Sequence, residues 1–183
     1  MIGQWLSSGN RIPVLSARTT VAISVIVVCL LFAAPFLVQY QSGYGTGTLD
    51  GLAYLSTSHP GDAGAVAYLR TLPGNEILVE AENGDYTYFS RVSSFTGIPA
   101  IIGQPFHESM WRGNENDWFT ARKADIRDIY ETPDLTVPLM KKYNATLLYV
   151  GDSERERYTV VLPETGLTKV YSAENTDIYR LSV

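Results

Sequence analysis

The sequence is poor in the side chains that most soluble-enzyme chemistry relies on. It has one cysteine and two histidines in 183 residues. Cys29 lies inside an apolar run, so the rest of the chain carries no disulfide and no thiol chemistry. The histidines, His59 and His107, stand far apart. His107-Glu108 does not open a zinc-protease motif, because the position four residues on from His107 is Trp111 rather than a second His. A metal site built from both histidines with Glu80 or Glu108 is only a geometric conception with no ligand spacing behind it. No nucleophile elbow surrounds Ser93-Ser94, no cofactor-binding fingerprint is present, and there are no internal repeats. Positive charge is also short: 14 Lys and Arg stand against 19 Asp and Glu. With no basic stripe interleaved with aromatics, nucleic acid is excluded as a partner.

What the chain does have is one long apolar run. Residues 21–38, VAISVIVVCLLFAAPFLV, hold no charge. A helix rising about 1.5 Å per residue needs about 20 such residues to cross a bilayer, and residues 19–40 supply them, with Tyr40 suited to the interface. A cleaved signal peptide and a buried core helix are the alternatives. The run is longer than a usual signal core and starts late, and it has no polar face for a small domain to leave outside. The lipid bilayer is therefore the first partner expected. Arg11 and Arg18 are the charges before the run, and the first carboxylate after it is Asp50. The positive-inside tendency places residues 1–18 in the cytoplasm and the rest outside the cell membrane. Trp5 and Leu6 hint at an interfacial contact. The residues beyond the run hold the other 12 of the 14 Lys and Arg and all 19 Asp and Glu, a formal charge of −7.

Residues 41–48, QSGYGTGT, read as a flexible linker, and residues 49–183 as an α/β domain. Asp62 is expected to N-cap a helix over 63–72, which Pro73-Gly74 ends. Residues 76–81 and 98–102 read as short interior strands, with 86–94 open between strand and helix. Residues 113–121 read as a loop anchored by Trp118 and Phe119. Helices are expected over 123–130 and 133–143, the second capped by Thr132 with Pro133 in its first turn and ended by Asn144. Asn144-Ala145-Thr146 matches the glycosylation triplet, but its place between a helix end and a strand favours a capping Asn. Residues 145–151 form the clearest strand, 153–158 one helical turn, and 167–173 with 177–181 a terminal hairpin around Glu174-Asn175. Strands alternating with helices imply a mixed sheet, antiparallel at its C-terminal edge.

Strand C-termini in α/β sheets converge on one edge. If 76–81 and 98–102 are parallel neighbours, Glu80, Arg91, His107, Glu108 and Arg112 ring one crevice, with Phe106, Trp111, Tyr86 and Tyr88 as flat apolar faces. Carboxylates beside aromatic platforms suit a sugar, whose hydroxyls need acceptors and whose C–H faces stack on rings. The structural alternative pairs Arg91 or Arg112 with Glu80 or Glu108 and leaves the aromatics to fill the core. Glu154 and Arg157 read as a solvated helical pair.

The stretch RVSSFTGIPAIIGQPFHESMWRG, followed by IRDIYETPD, LMKKYNATLLYVGDSERERY and DIYRL, resembles the C-terminal part of the YYY-type integral membrane proteins of archaea and Chloroflexi. In that pattern, G-W-x-x-H-E-x-x-W-R, this chain matches at Gly103, His107, Glu108, Trp111 and Arg112, with Gln104 in place of the first Trp. The resemblance covers residues 21–183 and implies a GT-C-like glycosyltransferase setting. The chain is then the end of a longer protein or a stand-alone remnant, without the multi-helix membrane part and inactive alone. Its implied role is to complete or gate a lipid-linked sugar transfer site. Trp111 would stack on sugar, with Phe106 and Tyr86 as further platforms. Arg91 and Arg112 would meet phosphate or carboxylate, and His107, Glu108 and Glu80 would serve the acceptor hydroxyl. A non-catalytic module binding a glycan or a membrane partner is the alternative, and a metal-dependent hydrolase a third.

Overall fold

The computed structural model describes residues 16–43, 48–113 and 117–182, so Trp5 and Leu6 lie outside the described residues. The chain divides into two units, Met1–Leu49 and Asp50–Val183. In the first, helix α1 (Ala17–Gly43) takes in the apolar run with Pro35 inside it. The stretch Ala17–Pro35 is long and apolar enough to cross a membrane. Helix α1 also reaches three residues into the stretch read as linker.

The second unit is a mixed α/β fold on a four-stranded sheet ordered β1-β2-β4-β3. Strand β1 (Leu78–Val79) pairs in parallel with β2 (Leu147–Val150), which pairs antiparallel with β4 (Thr176–Leu181), itself antiparallel to β3 (Leu167–Ala173). Glu174 and Asn175, at φ 46° and 61°, turn the hairpin. Two consecutive left-handed residues give a turn whose twist matches that of the strands.

Side chains alternate across a strand, and each face of the sheet here has its own core. Leu78, Leu147, Tyr149 and Ile178 pack on one side with Ala65 and Leu69 of helix α3 (Pro60–Leu69) and Val92 of helix α4 (Arg91–Thr96). Val79, Leu148 and Val150 pack on the other with Ile126, Ile129 and Tyr130 of helix α6 (Asp117–Glu131) and Met140 of helix α7 (Pro133–Lys142). Burial on both faces explains why EILVEA and ATLLYV lack polar alternation in their centres. Helix α2 (Leu55–Ser58), helix α5 (Pro105–Arg112) and helix α8 (Asp152–Arg157) complete the unit.

Several boundaries move for identifiable reasons. The strand expected over 76–81 keeps two residues, because side chains take its backbone partners at both ends. Thr146 Oγ1 accepts Ile77 N (3.1 Å) and Glu154 Oε1 accepts Ala81 N (3.0 Å). The strand expected over 98–102 is a single parallel bridge, Ala100 to Leu78. Pro99, lacking an N–H, contributes only its carbonyl, to Leu78 N at 2.8 Å. Pro60 starts α3 earlier than 63, so Asp62 sits inside the first turn and is not the N-cap. Of the loop expected over 113–121, residues 117–121 belong to α6, since Phe119 extends the stripe of Ile126 and Tyr130; residues 114–116 lie outside the described residues. Asn144, at φ 52°, ends α7 as expected. Its N–H donates to Lys141 O (3.1 Å) and that of Ala145 to Met140 O (2.8 Å), a left-handed helix stop that satisfies two terminal carbonyls.

Candidate functional site

The residues read as one crevice fall into two groups. The first is interior, where β1 and β2 end side by side. Arg91, whose side chain is 2% exposed, is held by two carboxylates. Its Nε donates to Asp62 Oδ2 at 2.5 Å, and Nη1 and Nη2 donate to Glu154 Oε1 and Oε2 at 3.2 and 3.1 Å. Asp62 also accepts from Tyr149 Oη (2.5 Å) and Tyr88 Oη (2.8 Å). Glu154 accepts the N–H groups of Ala81 and Gly151 at 3.0 and 2.9 Å, which ties the ends of the two parallel strands together. Glu154 is thus fully buried and paired with Arg91, not solvated beside Arg157, which turns instead to Glu82. The reason is topological: α8 follows β2 directly, so its first turn lies against the end of β1. Glu80 does not pair with Arg91. It accepts Val92 N (2.8 Å) and Ser93 N (2.9 Å) at the start of α4. Burial pushes its carboxyl up to about 7; the hydrogen bonds from Ser93 and Val92 oppose the shift and the Glu154 charge adds to it. Burial opposes ionisation of Asp62 too, but Arg91 and the two tyrosines outweigh it and hold that carboxyl below its ordinary range. This cluster fills the crevice where open α/β sheets take ligands, and every carboxylate in it is hydrogen-bonded.

The second group is on the surface, around α5. Pro105 takes the first helical position, and Gln104 precedes it without a side-chain cap. The next two N–H groups would be unsatisfied, and Asp85 supplies both acceptors from the Asn83-Gly84-Asp85 turn. Its Oδ1 accepts Phe106 N (2.9 Å) and its Oδ2 accepts His107 N (2.8 Å). The same Oδ2 lies 2.7 Å from His107 Nδ1, and His107 Nε2 lies 3.0 Å from Tyr86 Oη. A carboxylate on Nδ1 fixes the neutral ring's proton there, so Nε2 accepts from the Tyr86 hydroxyl. Trp111, Tyr86 and Phe106 are 77%, 87% and 63% exposed. They surround the imidazole at ring-centre separations of 5.3, 5.2 and 6.3 Å. Glu108 reaches back to Gly103 N (2.9 Å) and forward to Arg112 Nε (3.6 Å). Chemically this is an imidazole held at both nitrogens, by Asp85 and by Tyr86, and flanked by exposed aromatic rings.

Of the expected residues, then, Tyr86, Phe106, His107 and Trp111 meet on one face and Glu108 with Arg112 on the same helix, whereas Glu80 and Arg91 belong to the interior. Asp62, expected as an N-cap, and Glu154, expected as a solvated partner of Arg157, belong to the interior cluster instead, and Asp85 and Tyr149 are not among the expected site residues. Asn83-Gly84-Asp85 is by composition a turn signal, but the target of Asp85, twenty-odd residues on, has no local sign. His59 stacks on Tyr88 at 4.0 Å and takes no part in the His107 face. Among the described residues no three His, Cys, Asp or Glu side chains converge on a point where a metal could sit. No family model, no curated protein and no solved structure matches the chain.

Proposed function

We propose that the chain is a membrane-anchored, extracytoplasmic module that binds a glycan on the face formed by Tyr86, Phe106, His107 and Trp111, without turning it over. The observation that carries this reading is the trio of exposed rings around an imidazole locked by Asp85. Rings take the C–H faces of a sugar, and the Tyr86 oxygen, oriented by giving its proton to His107 Nε2, still accepts from a sugar hydroxyl. The apolar helix Ala17–Pro35 supports the anchor, and the two arginines before it support the orientation.

The test is tryptophan emission of the full chain in a detergent without sugar headgroups, titrated with maltotriose and chitotriose. One of them should shift the emission saturably, and Trp111→Ala should weaken binding about tenfold or more, a loss of at least ~1.4 kcal/mol. Binding that survives Trp111→Ala undiminished, or no response to either glycan, sinks the reading.

A second reading keeps the same face but lays it over a lipid-linked sugar held by a multi-helix membrane partner, completing or gating a transfer site. The motif carrying the YYY-type resemblance favours it, since its Phe106, Met110 and Trp111 side chains are all uncovered and large apolar surface of that kind marks an interface. A photo-crosslinker at position 111 that captures a polytopic membrane protein in native membranes separates the two.

A further inference from the structure

A cavity that shares no residue with the His107 face opens between α6, Glu82 and the end of α8. It measures about 400 Å³, room for roughly a dozen waters at ~30 Å³ each. Its floor is Glu82 and Tyr158, 1% and 5% exposed. Two buried atoms there, Glu82 Oε2 and Tyr158 Oη, have no hydrogen-bond partner among the described residues. Buried polar atoms without partners are uncommon and costly. Lys123 Nζ stands 3.3 Å from Glu82 Oε2 as an ion pair, and Arg157 Nη2 stands 3.7 Å from Oε1. Arg127 also lines the cavity and is exposed; no ion pair or hydrogen bond engages it among the described residues. Three cations thus face one carboxylate, in a chain that carries a net negative charge overall. Phe119 adds an apolar wall.

We propose that this cavity binds a small phosphorylated polyol, of the sugar-phosphate class. The phosphate answers the cations at the rim, with Arg127 able to engage it bidentately. Glu82 Oε2 takes a hydroxyl as donor, Tyr158 Oη bonds a second oxygen, and Phe119 faces the C–H side of the ring. Inorganic phosphate has P–OH donors but no polyol, so it cannot set a carbon-borne hydroxyl on Glu82 while its charge meets the rim cations, and it binds more weakly; a neutral sugar leaves the cations unused.

Calorimetric titration of the full chain in a sugar-free, uncharged detergent decides this, with glucose 1-phosphate as probe and glucose and inorganic phosphate as controls. Saturable one-to-one binding of glucose 1-phosphate, tighter than either control and weakened by salt, is expected. Arg127→Ala should lower that affinity about tenfold or more, the loss of a charge-assisted contact to phosphate, with an unchanged melting temperature, since no ion pair or hydrogen bond engages its side chain among the described residues. Trp111→Ala should leave this binding intact while weakening the glycan response, so failure at one site leaves the other reading standing. A lipid headgroup such as phosphoinositol offers the same chemistry. Loss of glucose 1-phosphate binding in nanodiscs containing phosphatidylinositol, but not in phosphatidylcholine alone, assigns the site to a headgroup, and retention in both assigns it to a free ligand. No binding of glucose 1-phosphate, equal binding of inorganic phosphate, or unaltered affinity in Arg127→Ala overturns the proposal.

Discussion

Two groups of charged and aromatic residues, both visible as candidates in the sequence, end in opposite circumstances. Around Arg91 every donor and acceptor is used inward, on Asp62, Glu154, two tyrosine hydroxyls and the N–H groups of two strand ends. Around His107 the two ring nitrogens are committed, to Asp85 and to the Tyr86 hydroxyl, while the aromatic faces look outward. The same residue types thus do different work. Buried and satisfied, they specify which strands lie together; exposed and half-satisfied, they are available to a ligand.

Breaking the interior group should have the largest effect. Arg91→Met strands Asp62 and Glu154 without their cation, and removing one partner of a buried pair costs about 3–5 kcal/mol. Urea denaturation of the full chain in detergent should show it as a lowered midpoint. An unfolding midpoint within error of the parent would mean the network is not what holds β1 to β2.

Acidity sharpens the contrast next. Glu80 titrates at about 7 in the fold against an ordinary 4.5, so the folded chain holds that proton more tightly than the unfolded one. Stability therefore falls as pH rises from about 4.5 to 7, by an amount on the order of a few kcal/mol, and is flat with respect to this group above and below. Asp62, Asp125 and Asp177 are lowered instead. Their contribution is present above the ordinary aspartate value of 3.8 and is lost as pH falls through their lower folded values. The unfolding midpoint should thus be highest near pH 4–5, and Glu80→Gln should remove the decline between 5 and 7. A decline unchanged in that variant would place its source elsewhere.

Smaller effects belong to the surface group. Asp85→Ala leaves the Phe106 and His107 amides and the imidazole without their acceptor, at about the ~1 kcal/mol typical of a lost helix cap. Hydrogen exchange at those two amides should quicken while exchange in β2 stays slow. Smallest of all, Trp111→Ala should alter the denaturation midpoint by no more than ~0.5 kcal/mol, as for an exposed side chain. A larger loss would move Trp111 into the fold's own packing.

The parts of this architecture that sequence reading recovers are those whose signals are local. Asn144 closes a helix and Glu174-Asn175 turns a hairpin because each needs only its own left-handed backbone. The sheet's mixed character follows from alternation of apolar strands and helices along the chain. What reading misses depends on partners distant in sequence. Glu154 looks solvated beside Arg157 until α8 is laid against the end of β1, and Asp62 looks like a cap until Arg91 arrives from 29 residues away. Strand 76–81 looks longer than it is because Thr146 and Glu154 replace its ladder. For the candidate site, the motif residues were legible as a cluster, but not their division into an outward face and an inward one.

The Asp85 contact has a consequence for how order arises in this part of the molecule. Helix α5 has eight residues, too few to persist alone in water, and its start signal is written 21 and 22 residues upstream of the amides it serves. The helix therefore inherits its existence from the turn at residues 83–85. A peptide of residues 98–113 should be a random coil, and any event that remodels the turn erases the helix with it. Tyr86, His107 and Trp111 then become a face only together, as one switchable patch and not as three independent side chains.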